Sequence, residues 1–127
     1  MKYRIAMSLI VAATVLGAGP ATAQYYKGKQ ITILINYGAG GPTDIEARLI
    51  ARHFAKHIPG KPRVIAKNRP GAGGIVGSNF MGEVAKPDGL TVAIFTPPTT
   101  SQVLRDPGLR INFGKDFTWL AGIGQPQ

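Results

Sequence analysis

The chain contains no cysteine. No disulfide can brace it and no N-terminal cysteine can carry a lipid, so an exported form has to rest on its core alone. Acidic residues are scarce, 6 against 15 basic ones, and the only histidines are His53 and His57. Nucleophilic catalysis has little to work with: there is no thiol, and no G-x-S-x-G elbow holds a serine. The two histidines are spaced for adjacent helical turns, but no third ligand or neighbouring acid is evident. They read as helix-edge residues, and no metal is expected. A phosphate loop of the G-x-x-x-x-G-K-[ST] type is missing. Lysines and arginines are scattered without a run of neighbours, which gives nucleic-acid binding little support. No apolar run is long enough to span a bilayer comfortably.

What is present begins with a basic start, Lys2 and Arg4, followed by a mostly apolar, uncharged run from Ile5 to Leu16 and small residues ending in Ala21-Thr22-Ala23. That is the pattern of a secretory signal peptide over residues 1–23, cleaved after Ala23. No Arg-Arg pair is present, so general export is expected rather than the twin-arginine route. The remaining residues 24–127 are 104 of the 127 and suffice for one small domain, soluble and periplasmic. A chain of this size buries only about two-thirds of its unfolded surface. Setting aside Lys2 and Arg4 leaves 13 basic residues against 6 acidic ones, a net charge of +7. Such a balance suits anionic ligands or surfaces without choosing among them.

Three units of strand, loop and helix follow one another. The first strand runs from Gln30 to Asn36, nearly continuous in β-branched and apolar residues as buried parallel strands are. Its loop, Tyr37-Gly38-Ala39-Gly40-Gly41-Pro42-Thr43-Asp44, leads into a helix expected over Ile45 to Ile58. Thr43 and Glu46 have the spacing of a capping box. Ala47, Ile50, Ala51, Phe54, Ala55 and Ile58 share one broad face, and Pro59-Gly60 ends the helix. A second strand, Arg63 to Ala66, runs into Asn68-Arg69-Pro70-Gly71-Ala72-Gly73-Gly74 and a helix over Ile75 to Ala85. That helix carries Val76, Phe80 and Val84 at steps of four, and Gly77 marks close packing against the sheet. After a turn at Lys86-Pro87-Asp88-Gly89, a third strand spans Leu90 to Phe95. Its hydroxyl-rich loop, Thr96 to Ser101, is followed by a short helix around Ser101 to Leu104. Phe117 to Ile123 reads as a last strand.

Strands alternating with helices imply an α/β fold with a mostly parallel sheet and right-handed crossovers. The loops leaving the carboxyl ends of such strands lie along one edge, where ligands bind. The loops at Tyr37, Asn68 and Thr96 are therefore expected to converge. A glycine turn opening a helix also offers free N–H groups and the positive end of the helix dipole, an anion site in outline. Gly38-Ala39-Gly40 matches the start of the dinucleotide fingerprint, but Thr43 occupies the third glycine position, and Lys67 and Asn68 stand where an acid would be needed. Gly71-Ala72-Gly73 fails similarly at Val76. Asp44 reads first as an acid favoured by the dipole of its helix and only second as a catalytic carboxylate, since no partner carboxylate is close in sequence.

The segments Tyr37 to Asp44, Asn68 to Gly74, Lys86-Pro87-Asp88-Gly89-Leu90-Thr91 and Lys115-Asp116-Phe117 stand in an order that resembles the Bug-type periplasmic substrate-binding receptors of tripartite tricarboxylate transporters. The resemblance covers essentially all of residues 24–127. It implies a lobe of the type II periplasmic-binding-protein class, no cofactor and no catalysis. It further implies a monomeric receptor that clamps a small organic acid between two lobes and delivers it to a membrane permease. By position, the ligand residues would be Gly40, Gly41, Thr43 and Asp44; Gly71, Ala72 and Gly73; and Thr96, Thr99 and Thr100. Asp44 would orient a water or loop N–H groups, because a carboxylate repels the anion. Tyr37 and Ile75 depart from the family's usual residues. The sequence stops near the first crossover, so it reads as an N-terminal lobe whose second lobe is absent. Two other classes compete: a small exported Rossmann-like enzyme using a nucleotide, and a basic protein attracted to anionic surfaces.

Overall fold

Ile31, Ile33, Leu34 and Ile35 are all buried, and only a strand covered on both faces and both edges can hide four apolar positions out of five in this way. The computed structural model, which describes residues 25–122, makes that strand the centre of the sheet. The stretch read as a signal peptide, and Ile123 of the expected last strand, lie outside the described residues. Strand β1 spans Gln30–Ile35, β2 spans Arg63–Asn68 and β3 spans Thr91–Ile94. The order is β2-β1-β3, with both neighbours parallel to β1. The register sets Ile35 beside both Asn68 and Ile94, so the three carboxyl ends finish level.

Helix α1, Pro42–Phe54, crosses from β1 to β2 and continues as a 3-10 turn over Ala55–His57. Ala47 is buried against Ile33 and Ile35, with Ala51, Phe54, Val64, Ala66 and Ile94 around them. The expected apolar face is therefore the packed one, while Ile45 and Leu49 stay exposed. The start differs from expectation. Pro42 occupies the first turn, where its missing N–H costs nothing, and Gly41 becomes the N-cap without a side-chain bond. Thr43 thus lies inside the helix, and the Thr43–Glu46 capping box does not form.

Helix α2 spans Ile75–Glu83, preceded by a 3-10 turn over Ala72–Gly74. Its buried residues are Ile75, Gly77, Ser78 and Asn79, whereas Val76 and Val84 are exposed and Phe80 is half-covered. The stripe Val76–Phe80–Val84 is therefore not the inward face. Gly77 decides the rotation. A Cβ there would stand 2.7 Å from the Asn36 Cβ and 2.9 Å from both the Asn36 Cα and the Arg69 carbonyl oxygen. Only a bare backbone can press so closely on the end of β1, and that contact turns Ser78 and Asn79 inward. Asn79 is then satisfied by the Gly108 carbonyl and the Arg110 N–H. Phe80 lies under the Arg69 guanidinium, 3.9 Å from it.

Helix α3 is short, Thr99–Val103. Beyond it the expected strand over Phe117 to Ile123 does not form: residues 117–122 are irregular and pair with no described strand. Its aromatic side chains go elsewhere. Phe117 stacks on Phe113, Phe95 meets both edge-on, and Trp119 donates its ring N–H to the Phe113 carbonyl at 2.9 Å. High strand propensity without a neighbouring backbone row to bond yields a cluster and not a strand.

The Gly77 contact carries a test. Gly77→Ala places a methyl against backbone atoms that cannot swing away, and overpacking of this kind costs about 1–3 kcal/mol. The better helix propensity of alanine offsets at most about 1 kcal/mol of it. A lowered urea midpoint is expected; an unchanged or raised one contradicts the close approach.

Candidate functional site

Because the three strands end level, the loops that leave them are neighbours, and hydrogen bonds tie them pairwise. The Tyr37 hydroxyl donates to the Gly73 carbonyl at 3.0 Å, joining the first loop to the second. The Asn68 amide adds to that tie, donating to the Tyr37 carbonyl at 3.0 Å and to Asp44 Oδ1 at 2.7 Å. The Thr43 and Thr96 hydroxyl oxygens stand 3.4 Å apart, joining the first loop to the third. Asn36, at the end of β1, donates to the Gly74 carbonyl at 3.5 Å and to the Thr96 carbonyl at 3.1 Å, joining the second to the third.

Local backbone chemistry explains why these loops carry glycine. Gly71, Ala72, Gly73 and Gly74 all have positive φ, between +46° and +137°. Three glycines in four positions make that run accessible; Ala72, at +46°, is the strained member. At Gly74 a Cβ would come 2.5 Å from the Asn36 amide nitrogen. In the first loop Gly40, at φ +84°, turns its N–H back onto Asp44 Oδ2 at 2.9 Å.

Asp44 is the charged centre of this region. It is 3% exposed, and Arg48 Nε donates to both of its oxygens, at 3.0 and 2.9 Å, from one helical turn further on. Arg48 reaches on to the Asn68 side-chain oxygen at 2.8 Å. The Arg48 hydrogen bond, then the Gly40 N–H and the Asn68 amide, hold the Asp44 carboxyl far below the usual carboxylate range against the opposing effect of burial. Arg48 is raised in turn by Asp44. Asp44 is thereby occupied by three protein groups, beneath the loop it steadies.

An open pocket of about 450 Å³ lies above, lined by Tyr37, Gly38, Ala39, Gly41, Pro42, Thr43 and Thr96. Of the residues singled out in the sequence, Gly41, Thr43 and Thr96 line it. Gly40 stands between the lining residues Ala39 and Gly41, outside the lining itself, with its N–H on Asp44. Gly71, Ala72 and Gly73 form the exposed neighbouring loop, reached through Tyr37. Thr99 and Thr100 are exposed at the start of α3, outside the lining, and Asp44 lies below it. No lining side chain is charged. The pocket offers hydroxyls and main-chain N–H groups at a helix N-terminus, a donor set for an anion held without a cation. His53, near the end of α1, and His57, in the 3-10 turn after it, are exposed, and no described group of three potential metal ligands occurs.

Sequence reasoning missed Arg48, Asn68 and Asn36. The first was readable as an acid–base pair at i, i+4. The other two were readable as amides ending apolar strands, where a polar side chain must find partners.

The Asp44 cluster generates a pH prediction. A carboxyl with a lowered folded-state value stabilises the fold fully above its unfolded value, near pH 4, and loses that contribution as pH falls toward the folded value. Asp44→Ala should therefore lower the urea midpoint at pH 7, with a gap to the parent chain that narrows steadily below about pH 4. A gap that stays constant down to about pH 2 contradicts the assignment.

No protein-family model matches the chain. Among curated proteins it is 40% identical to "UPF0065 protein in gbd 5'region" of Cupriavidus necator, over 88% of this chain and 36% of that protein. It is 34% identical to "Protein BugT" of Bordetella pertussis, over 74% of this chain and 28% of that protein. A further UPF0065 protein of the same organism is 35% identical, over 65% of this chain and 24% of that protein. The matched stretch spans about a third or less of these relatives' length. Several such relatives align across most of its residues, and the chain belongs to the Bug (UPF0065) family.

Proposed function

We propose that this chain is the first lobe of an exported, two-lobed receptor of the type II periplasmic-binding-protein class. It holds a small organic carboxylate for delivery to the permease of a tripartite tricarboxylate transporter and catalyses nothing. The observation that carries this reading is the pairwise fastening of three loops at one sheet edge, the first and third of which line a pocket of uncharged donors. Membership in the Bug family supports it.

In this reading the hydroxyls and unengaged N–H groups of Gly41 and Thr43, of Gly71, Ala72 and Gly73, and of Thr96, Thr99 and Thr100 face the acid, while Gly40, its N–H held by Asp44, shapes the first loop. Asp44 acts from beneath, keeping Gly40 and Arg48 in place without touching the anion. The positive net charge of the chain draws anions in, and the neutral pocket selects by hydrogen-bond geometry. A second lobe, in the length that the relatives have beyond the match, closes on the far end of the ligand about a hinge. No helix of the described residues is long and apolar enough to cross a membrane. The protein works as a monomer without a cofactor.

Titration calorimetry of residues 24–127 with citrate, succinate and NAD tests the proposal. Weak, saturable heat with the two acids and none with NAD is expected, because one lobe supplies half the contacts. Tight binding of an acid by this chain alone would overturn the two-lobe clamp. A response to NAD without one to the acids would favour a nucleotide enzyme. Binding that disappears at moderate salt and ignores ligand shape would reduce the site to general anion attraction.

A further inference from the structure

The amide of Asn36 has a position that its stability cannot explain. The residue is completely buried at the end of the central strand, outside the lining of the pocket. Its nitrogen serves the Gly74 and Thr96 carbonyls, while its oxygen is the one buried side-chain polar atom among the described residues with no hydrogen-bond partner. A buried acceptor left unpaired is destabilising, and an apolar side chain of the same shape would remove the problem. The surroundings are nevertheless shaped to admit this side chain, since a Cβ at Gly74 or Gly77 would strike it at 2.5 or 2.7 Å. The Gly74 carbonyl has a second donor in the Ser78 hydroxyl at 2.9 Å, so that acceptor is satisfied without Asn36.

We propose that Asn36 is a positioning residue: its one amide spans the second and third loops and sets the gap between them. Thr96, which lines the pocket and stands against Thr43, is held at its carbonyl by this amide. Gly74, the last residue of the left-handed run, is held at the other end. What the gap holds rests on the carboxylate reading; the gap itself does not.

Asn36→Leu keeps the shape and deletes both donors. The expected result separates local from global effects. Amide exchange should become about tenfold faster at Thr99, Gly74 and Val76, whose N–H groups bond within the two loops, the factor for about 1.4 kcal/mol of local opening. Exchange at Arg63 and Thr32, which bond across the β1 pairings, should be unchanged, as should the urea midpoint. Unaltered loop exchange, or a collapse of protection at all five amides with a lowered midpoint, overturns the proposal and makes Asn36 an ordinary core residue. Asn36→Ala, which lacks the donors and buries no charge, should loosen the same two loops if the leucine variant fails to fold; failure of both overturns the proposal. The citrate response should weaken in the variant. A parent chain that ignores citrate would count against the carboxylate reading, while the exchange comparison still decides the role of Asn36.

Discussion

The constraint on which the site depends is the parallel pairing of β1 with a neighbour on each side. Parallel pairing sends every connection back across the sheet, so successive loops emerge at the same edge. The register at Ile35, with Asn68 on one side and Ile94 on the other, brings those loops to the same level. From that point short-range chemistry suffices: a tyrosine hydroxyl, two asparagine amides and a pair of threonines fasten the loops to one another. A slip of one residue in either pairing would turn the strand's core side chains to the other face and separate all of these ties.

Charge is arranged in two layers. Asp44 and Arg48 neutralise each other below the first loop, with Asn68 completing both of their hydrogen-bond sets. Above them the pocket is lined by uncharged groups only. The buried carboxylate therefore acts through geometry, fixing where Gly40 turns and where α1 begins. Under the proposed function, an anion entering the pocket would meet main-chain and hydroxyl donors and no cation. The second ion pair, Glu83 with Arg110, is exposed and serves a different place, joining α2 to the segment after Gly108.

Much of the fold was legible because β-branched runs and Pro-Gly turns mark where strands stop. The three strands and the convergence of their loops follow from that punctuation. The misreadings come from cases where a long-range contact outweighs a local pattern. In α2 the close packing expected at Gly77 is present, against Asn36, and it leaves the apolar steps Val76–Phe80–Val84 off the buried face. Pro42 started α1 ahead of the Thr43 signal, which freed Thr43 to meet Thr96. Residues 117–122 have strand-like composition but no partner row among the described residues. In the site, the glycines and threonines were visible through their backbone demands. The amides of Asn36 and Asn68 were not, because their partners come from loops far away in sequence.

The central claim is that three separately encoded loops act as one small-carboxylate site. Intermolecular nuclear Overhauser contacts between isotope-labelled succinate and the amide protons of the chain test it most directly, since they register even weak binding. The account predicts contacts from the succinate methylenes to residues of all three loops, Thr43, Gly73 and Thr96 among them. Contacts confined to lysine and arginine side chains elsewhere on the surface, with none at these loops, would contradict it.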